Sequence, residues 1–262
     1  MSVSNPASEL QPAEIDLEPP RPLIPPAAPA PAPVSTAAEF ADLLNEPPPE
    51  GARRILNVAV ALLLLVIALP VMVVIAILIK LTSKGPILYR QTRIGMNHRL
   101  PGDVPLRISR RRVCDLGGRP FVIYKFRTMR TDAERGTGAV WAKEKDPRVT
   151  MLGSILRQTR LDELPQLFNV LKGDMNVVGP RPERPSIFAR LADMMEHYPL
   201  RQRARPGITG LAQISQQYDR NLDDVARKLA FDLEYVRTQS VWNDIKIMSK
   251  TIPVVLFRKG GW

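Results

Sequence analysis

Cysteine and histidine are scarce in this chain of 262 residues, which narrows the chemistry available to it. The one cysteine, Cys114, cannot form a disulfide within the chain, so disulfide-stabilised folds are excluded. The two histidines, His98 and His197, lie about a hundred positions apart and have no cysteine or histidine neighbours. A zinc site is therefore disfavoured, and any bound metal is expected to have oxygen ligands.

Aromatic residues are also few, at 6% of the chain, and they form no stacking pattern. This argues against nucleic acid as a partner and ranks a magnesium-dependent nuclease low. Acidic residues are outnumbered, since 37 Lys and Arg face 26 Asp and Glu. A net charge of +11 indicates an anionic partner.

Residues 1 to 50 differ from the rest of the chain in composition. They hold 13 of the 26 prolines, and eight acidic residues against one arginine. Such a composition favours extended conformers over a packed core, so we expect a disordered, acidic tail. The tail lacks the pattern of a signal peptide. The remaining residues hold 36 basic residues against 18 acidic ones.

An uncharged run of 25 residues, 55 to 79, is long enough to cross a membrane as a helix. Pro70 lies near its middle and removes a backbone hydrogen bond, which favours a sharp bend there. Basic residues flank both ends of the run: Arg53, Arg54, Lys80, Lys84, Arg90 and Arg93. The positive-inside rule then places both ends in the cytoplasm. We predict a re-entrant hairpin that bends at Pro70, with a Pro-kinked single span as the alternative.

After this run the patterns predict a mostly helical α+β domain. Two strand-like segments, 86 to 95 and 119 to 129, are separated by a basic loop. Helices are predicted over 151 to 159 and 164 to 172, and apolar residues recur at helical spacing from 222 to 236. The predicted organisation is a tail (1–50), a membrane hairpin (51–81) and a cytoplasmic domain (82–262).

The segment RLDELPQ, residues 160 to 166, sets two adjacent carboxylates in this basic chain, Asp162 and Glu163. Proline is tolerated only in the first turn of a helix, so Pro165 predicts a helix that begins near Asp162. Backbone N–H groups and the helix dipole stabilise anions at such an end. The alternative is a purely structural role, in which Asp162 is the N-cap residue of the helix and Glu163 is an acidic residue of its first turn.

Basic residues beside rigid or glycine-containing turns accompany this pair. The prolines of GPRPERP (179 to 185) fix the backbone, and rigidly held guanidinium groups bind phosphate well. The candidate phosphate ligands are Lys125, Arg127, Arg157, Arg181, Arg184 and Arg205. Carboxylates within a phosphate site indicate a divalent ion, which we expect to be Mg²⁺. One carboxylate would attack phosphorus as nucleophile, and the other would bind the metal.

Several long motifs, in order, resemble those of the bacterial sugar transferases. These are monotopic polyprenyl-phosphate phosphoglycosyl transferases that start exopolysaccharide and glycan assembly. The resemblance runs from about Arg53 to Trp262. It includes GPILYRQTRIG, RPFVIYKFRTM, WAKEKDPRVTMLGSILRQTRLDELPQLFNVLKGDMNVVGPRPERP, RPGITGLAQI and KLAFDLEYV.

The resemblance implies an enzyme of the bacterial inner membrane, facing the cytoplasm, with a catalytic domain over 82–262. It would transfer sugar phosphate from a UDP-sugar to undecaprenyl phosphate and release UMP. Asp162 would be the nucleophile that forms a covalent phospho-sugar enzyme, and Glu163 would be associated with Mg²⁺. Lys125, Arg157 and Arg181 match functional positions of the family. Asp244 also matches one by a short motif, and we expect it to join Asp162 and Glu163 as a metal ligand.

The family resemblance also implies the hairpin broken at proline, but the sequence departs from the family in three places. Leu69 replaces a common serine before the helix-breaking proline, and Asn57 replaces a common aspartate. Residues 96 to 118 form an insertion whose arginines would suit lipid headgroups or a partner.

The shared motifs do not name the sugar, for which glucose and galactose are guesses. A homo-oligomer is compatible with the sequence. A non-enzymatic membrane adaptor, binding anionic lipid through its basic surface, is the rival hypothesis.

Overall fold

The computed structural model describes residues 50–97, 117–133, 146–216 and 221–256. The helices are α1 Gly51–Thr82, α2 Met151–Gln158, α3 Gln166–Lys172, α4 Pro185–Met194, α5 Leu211–Ser215, α6 Leu222–Thr238 and α7 Val241–Leu256. The strands are β1 Leu88–Ile94, β2 Pro120–Phe126, β3 Asn176–Val178 and β4 Gly207–Thr209, and 3₁₀ helices cover Leu161–Glu163 and Tyr198–Arg203. All of the predicted tail except Glu50, and nearly all of the predicted insertion, with Cys114 and His98, lie outside the described residues.

These elements confirm a mostly helical α+β fold. Strands β1 and β2 pair antiparallel, from Leu88 opposite Phe126 to Ile94 opposite Pro120. Strands β3 and β4 pair parallel, with Val178 opposite Thr209. The backbones approach so closely beside this second pair that a Cβ on Gly179 would lie 2.1 Å from the Arg205 carbonyl oxygen. This contact joins the GPRP and RPGITG motifs.

The helix that follows the carboxylate pair begins later than the sequence predicts. Helix α3 starts at Gln166, with Pro165 as its N-cap residue, while Asp162 and Glu163 lie in a separate 3₁₀ helix. The expectation that one helix begins near Asp162 is therefore wrong. Proline is compatible with the start of a helix because the hydrogen bonds of the first turn do not need its missing N–H.

Helix α1 runs through Pro70 as one element. Its buried residues are Arg53, Asn57, Ala61, Met72, Ile75 and Ile79, at intervals that place them on one face of the helix. Ala61 belongs to one buried apolar cluster, and Met72, Ile75 and Ile79 belong to a second. The other faces carry apolar side chains that are mostly exposed, such as Leu63 at 60% and Val66 at 72%. By length and composition this helix could cross a membrane, and only 17% of its most apolar stretch is buried. The bend at Pro70 stays a prediction.

The start of α1 is held by a buried polar cluster. Arg53 donates to the Asp244 carboxylate at 3.4 Å and to the Tyr235 hydroxyl at 2.6 Å. Asn57 donates to the same carboxylate at 3.2 Å and accepts from the Val177 backbone N–H at 2.7 Å. Asn57 thus serves a carboxylate and a backbone amide at once. An aspartate there would have no hydrogen to donate to Asp244.

The end of α1 is held by the same domain. Arg127 donates to the carbonyl oxygens of Ser83 and Lys84, each at 2.9 Å, and to the Ser83 hydroxyl at 2.6 Å. These bonds cap the chain as it leaves the helix. Since Arg127 follows β2 directly, both ends of α1 are tied to the domain formed by the later elements.

We expect Asn57→Ala to lower the free energy of unfolding by roughly 2 kcal/mol, because it leaves the Val177 N–H without its acceptor and removes one donor from the buried Asp244. Asn243→Ala is the matched control, since its hydrogen bonds to Thr238 are exposed. The measurement is thermal unfolding of both variants in detergent. Equal stability of the two variants would contradict the prediction.

Candidate active site

A cavity of about 1420 Å³ lies between α1 and the later elements of the domain. One part is lined by apolar α1 residues, including Met72, Val73 and Ala76. Asp162 and Glu163 also line the cavity. Its lining extends as far as α5 and α6. The cavity is therefore both close to the apolar helix and rich in charged side chains.

An unusual backbone turn at Arg160 precedes the carboxylate pair. Arg160 has φ 59° and ψ 11°, the left-handed region, and among the described residues other than glycine it alone has a positive φ. This conformation costs roughly 1 kcal/mol for a residue with a side chain, so the surrounding structure must hold it in place. The turn leads into the 3₁₀ helix that holds Asp162 and Glu163, which are 7% and 8% exposed. A strained residue two positions before a pair of buried carboxylates is typical of a functional site.

Glu163 is paired with two cations. Its Oε1 accepts from Lys125 Nζ and from Arg181 Nη2, each at 2.6 Å. Burial opposes ionisation, but the positive charges of Arg181 and Lys125 hold the pKa of Glu163 well below its usual value. Glu163 is therefore ionised, and it fixes both basic side chains beside Asp162.

Asp162 has a different environment. Its carboxylate accepts no hydrogen bond from the part of the chain that the structure describes, although Lys125, Arg157 and Arg181 are near enough to act on its charge. Burial raises the pKa of Asp162, and this exceeds the opposing effect of Lys125. An acceptor that is buried, lines the cavity and lacks a protein donor is available to a ligand.

The other basic residues predicted to bind phosphate fall into two groups. Lys125, Arg157, Arg181 and Arg184 line the cavity, and Arg157 donates to the Thr128 hydroxyl at 3.1 Å. Arg127 also lines it, but its guanidinium group caps α1 as described. Arg205 lies instead at the end of α3, where it donates to the Gly173 carbonyl and, at 2.6 Å, to Glu50.

Asp244 lies apart from the carboxylate pair. It is fully buried, does not line the cavity, and both its oxygens accept from Arg53, Asn57 or Tyr235. Through Arg53 and Asn57, Asp244 holds the start of α1 against the rest of the domain. Its predicted role as a metal ligand has no support in this geometry.

Three hydrogen bonds to consecutive carbonyl groups hold the loop that presents Arg181. The Arg181 carbonyl accepts from Arg201 at 2.9 Å, that of Pro182 from Arg93 at 3.0 Å, and that of Glu183 from the Ile94 N–H at 3.1 Å. Prolines cannot donate backbone hydrogen bonds, so such a loop is fixed through its carbonyl groups. The sequence predicted a rigid loop but not these donors.

A network of buried charged side chains supports the same loop, and the sequence patterns did not predict it. Arg201 pairs with Asp232 at 2.6 Å, and Lys228 pairs with Glu183 at 2.8 Å. Asp232 and Lys228 lie four residues apart on α6, which the helical periodicity could have indicated. Their partners come from other elements, so sequence spacing alone does not identify them.

Acid should destabilise the protein through Glu183. Burial opposes ionisation, but Lys228 and Arg201 lower the pKa of Glu183 from 4.5 to about 2. A carboxylate with a depressed folded pKa adds stability above the unfolded pKa and loses it as the pH falls towards the folded one. We therefore expect roughly 3 kcal/mol of stability to disappear between pH 4.5 and 2.

Replacing Glu183 by Gln should remove this part of the acid sensitivity. The measurement is urea unfolding of wild type and Glu183→Gln between pH 7 and pH 3. The difference in unfolding free energy between the two proteins should shrink as the pH falls. A difference that is constant over this range would contradict the assignment.

The carboxylates fit a magnesium ion only if the substrate completes its coordination. Within the described ranges no three His, Cys, Asp or Glu side chains come together as a metal site. Mg²⁺ often uses one or two carboxylates together with substrate phosphates and water. Asp162, which has no donor among the described residues, would supply one such carboxylate, whereas Glu163 already accepts from Lys125 and Arg181.

Comparison with known proteins identifies the family of this chain. A sequence profile of the family described as bacterial sugar transferase matches residues 49–258. The UDP-glucose:undecaprenyl-phosphate glucose-1-phosphate transferase of Escherichia coli (strain K12) is 39% identical over 215 residues, 80% of this chain and 42% of that protein. The chain belongs to the bacterial sugar transferase family.

Two further relatives extend the comparison. A protein of the same name from Caulobacter vibrioides is 39% identical over 206 residues, which are 78% of this chain and 69% of that protein. The UDP-N-acetylgalactosamine-undecaprenyl-phosphate N-acetylgalactosaminephosphotransferase of Aeromonas hydrophila is 36% identical over 218 residues, 83% of this chain and 47% of that protein. The chain thus spans less than half the length of the E. coli and Aeromonas relatives.

Proposed function

We propose that this protein transfers a sugar 1-phosphate from a UDP-sugar to undecaprenyl phosphate, giving undecaprenyl-diphosphate-sugar and UMP. The main support for this proposal is the Asp162 carboxylate. It is buried, has no hydrogen-bond donor among the described residues, and lies beside Lys125, Arg157 and Arg181 in the cavity. The names of the relatives support the same reaction class. This would be the first step in building an exopolysaccharide or surface glycan.

Asp162 would act as the nucleophile. A carboxylate oxygen attacks the phosphorus that bears the sugar, the bond from that phosphorus to the bridging oxygen breaks, and UMP leaves with the electron pair. A phosphate oxygen of undecaprenyl phosphate then attacks the same phosphorus and releases the carboxylate. The positive charges of Arg181 and Lys125 stabilise the phosphoryl oxygens in both steps.

Glu163 has a supporting role in this scheme. Its negative charge fixes the positions of Lys125 and Arg181, and together with Asp162 it would hold Mg²⁺. When bound, that ion would neutralise phosphate charge. Arg157 and Arg184, which line the same cavity, would bind further phosphate oxygens.

The apolar helix α1 would place the cavity at the membrane. We propose that α1 enters the inner membrane from the cytoplasmic face and returns at Pro70, because both of its ends are tied to one domain. Its exposed leucines and valines are then covered by lipid. The α1 residues Met72 and Val73 would guide the polyprenyl chain towards Asp162.

The test is UMP release by detergent-solubilised protein given Mg²⁺, undecaprenyl phosphate and a panel of UDP-sugars. The panel includes UDP-glucose, UDP-galactose and UDP-N-acetylgalactosamine, since relatives are named for the first and the last. Without lipid we expect one equivalent of UMP and a phospho-sugar mass increase on the protein. Absence of UMP with every donor, beside an active control transferase, would reject the proposal and leave the membrane adaptor, which family membership does not favour.

A further inference from the structure

Helix α7 carries a row of apolar side chains that no element of the described structure covers. Trp242 is 76% exposed and Ile252 is 60% exposed, and Val241, Ile245 and Val255 are exposed as well. Trp242, Ile245 and Ile252 lie within about 100° of one another around the helix. Single exposed apolar residues are ordinary, but a row of them along one helix face indicates an interaction surface.

The opposite side of α7 is packed into the domain. Ile247 is buried in the apolar core, and Asp244 accepts from Arg53. Further along the helix, the hydroxyl groups of Thr251 and Thr209 are hydrogen-bonded at 2.9 Å. These contacts fix the rotation of α7 about its own axis, so the apolar row is a defined surface of the folded domain.

Positive charge lies next to this row. Lys246 and Lys250 are exposed and one helical turn apart, beside the side of the row that carries Trp242. Asp244 is the only acidic residue in α7, and it is buried and paired with Arg53. The exposed surface of α7 therefore combines apolar and cationic side chains. This combination is typical of helices that lie in the interface of an anionic membrane.

The contact between α7 and α1 places the row at the level where the apolar surface of α1 begins. Asp244 accepts from Arg53 at 3.4 Å and from Asn57 at 3.2 Å, within the first two turns of α1. The exposed Ile55 lies between these two residues of α1, and Trp242 lies two residues before Asp244. If α1 is inserted in a bilayer from this end, α7 begins at the bilayer surface.

We infer that α7 binds the membrane surface and that its partner there is anionic phospholipid. Trp242, Ile245 and Ile252 lie among the headgroups and the first part of the acyl chains, where tryptophan is enriched in membrane proteins. Lys246 and Lys250 contact the lipid phosphates. The inference rests on the insertion of α1 under the proposed function, but it does not depend on the proposed reaction. It gives the domain a second membrane contact, which limits its rotation about α1.

A second copy of the chain matches the row less well. In a symmetric dimer the same surface patch meets itself, so each α7 would face the other. Lys246 and Lys250 of one copy would then approach the same lysines of its partner, and α7 exposes no carboxylate to offset them. Anionic phospholipid complements both the apolar row and the charge.

The test measures contact between Trp242 and lipid in the full-length protein. Trp141→Phe and Trp262→Phe leave Trp242 as the only tryptophan. The protein is reconstituted into vesicles of phosphatidylcholine and phosphatidylglycerol with brominated acyl chains, because bromine quenches tryptophan emission on contact. The matched control carries Trp242→Phe and Arg190→Trp in addition, which moves the single tryptophan to an exposed position on α4. Flotation verifies that each protein is in the vesicles, and thermal unfolding verifies that it is folded.

We expect brominated lipid to remove about half of the Trp242 emission and to leave the Arg190→Trp control unchanged. Acrylamide in the aqueous phase should quench the control more strongly than Trp242. Lys246→Gln with Lys250→Gln should reduce the quenching by brominated lipid to the level seen in phosphatidylcholine alone.

Trp242 emission that brominated lipid does not change would overturn the inference. If Trp242 is then also shielded from acrylamide and the protein is dimeric in detergent by light scattering, a second copy covers the row. Equal quenching with and without phosphatidylglycerol would overturn the assignment of anionic lipid as the partner.

The fluorescence measurement requires no turnover, so it separates this inference from the proposed reaction. A protein whose Trp242 is quenched by brominated lipid but which releases no UMP would reject the proposed function and retain the inference. A protein that releases UMP while its Trp242 is unaffected by brominated lipid would do the reverse.

Discussion

Replacing Asp162 by Asn is expected to lower UMP release at least about a thousandfold, because an amide cannot form the phospho-sugar bond. The change is almost isosteric, and Asp162 accepts no hydrogen bond from the described residues that an amide would lose. The variant should therefore fold normally and still bind the UDP-sugar. The measurements are steady-state UMP release and the mass of the protein after incubation with UDP-sugar alone.

Asp193→Asn is the matched control for this experiment. Asp193 is exposed on α4 and does not line the cavity, so the same chemical change there should leave activity unaltered. The phospho-sugar adduct should form on wild type and on the control but not on Asp162→Asn. An adduct on the Asp162→Asn protein would place the nucleophile elsewhere.

The pH dependence of UMP release is a second test of the role of Asp162 as nucleophile. Burial raises the pKa of its carboxyl, and attack requires the ionised form. Activity should fall on the acid side at a higher pH than an exposed aspartate would give. Glu163 should not contribute this limb, because Arg181 and Lys125 lower its pKa.

The sequence was most informative where a pattern is local. The uncharged run of 25 residues predicts α1, and the two strand-like segments predict β1 and β2 within two or three residues of their observed bounds. The carboxylates and the cations Lys125, Arg157 and Arg181 stand in short motifs that resemble those of the bacterial sugar transferases. These features depend on neighbours within a few residues, which a sequence displays directly.

Tertiary contacts account for the predictions that the geometry does not support. Arg127 and Arg205 look like phosphate ligands in the sequence, yet Arg127 caps α1 and Arg205 binds the end of α3. Asp244 finds its partner Arg53 across 191 positions. A charged residue beside a turn has the same local pattern whether it meets a ligand or a distant carbonyl group, so only the fold distinguishes the two.

The buried pair of Arg201 and Asp232 illustrates how such distant contacts prepare the site. Arg201 is 4% exposed and donates to the Asp232 carboxylate, the Tyr198 hydroxyl and the Arg181 carbonyl. Burial alone would lower the pKa of Arg201, but the charge of Asp232 raises it above its usual value. Arg201 is therefore permanently charged and links α6 to the loop that carries Arg181.

Replacing Arg201 by Met is expected to lower the free energy of unfolding by roughly 3–5 kcal/mol, because it leaves the Asp232 charge buried without its partner. The thermal midpoint in detergent should fall by about 10 °C. The Arg181 carbonyl also loses its donor, so the KM for UDP-sugar should rise while Asp162 remains intact. Arg190→Met, an exposed change on α4, is the control and should alter neither quantity.

A double variant separates loss of charge pairing from loss of positioning. Arg201→Met with Asp232→Leu removes both charges, and replacing a buried ion pair by apolar side chains is often neutral for stability. The double variant should recover most of the lost thermal midpoint but keep the raised KM, because nothing then holds the Arg181 carbonyl. Recovery of both stability and KM would show that the pair serves folding alone, and that the remaining bonds from Arg93 and Ile94 suffice to place Arg181.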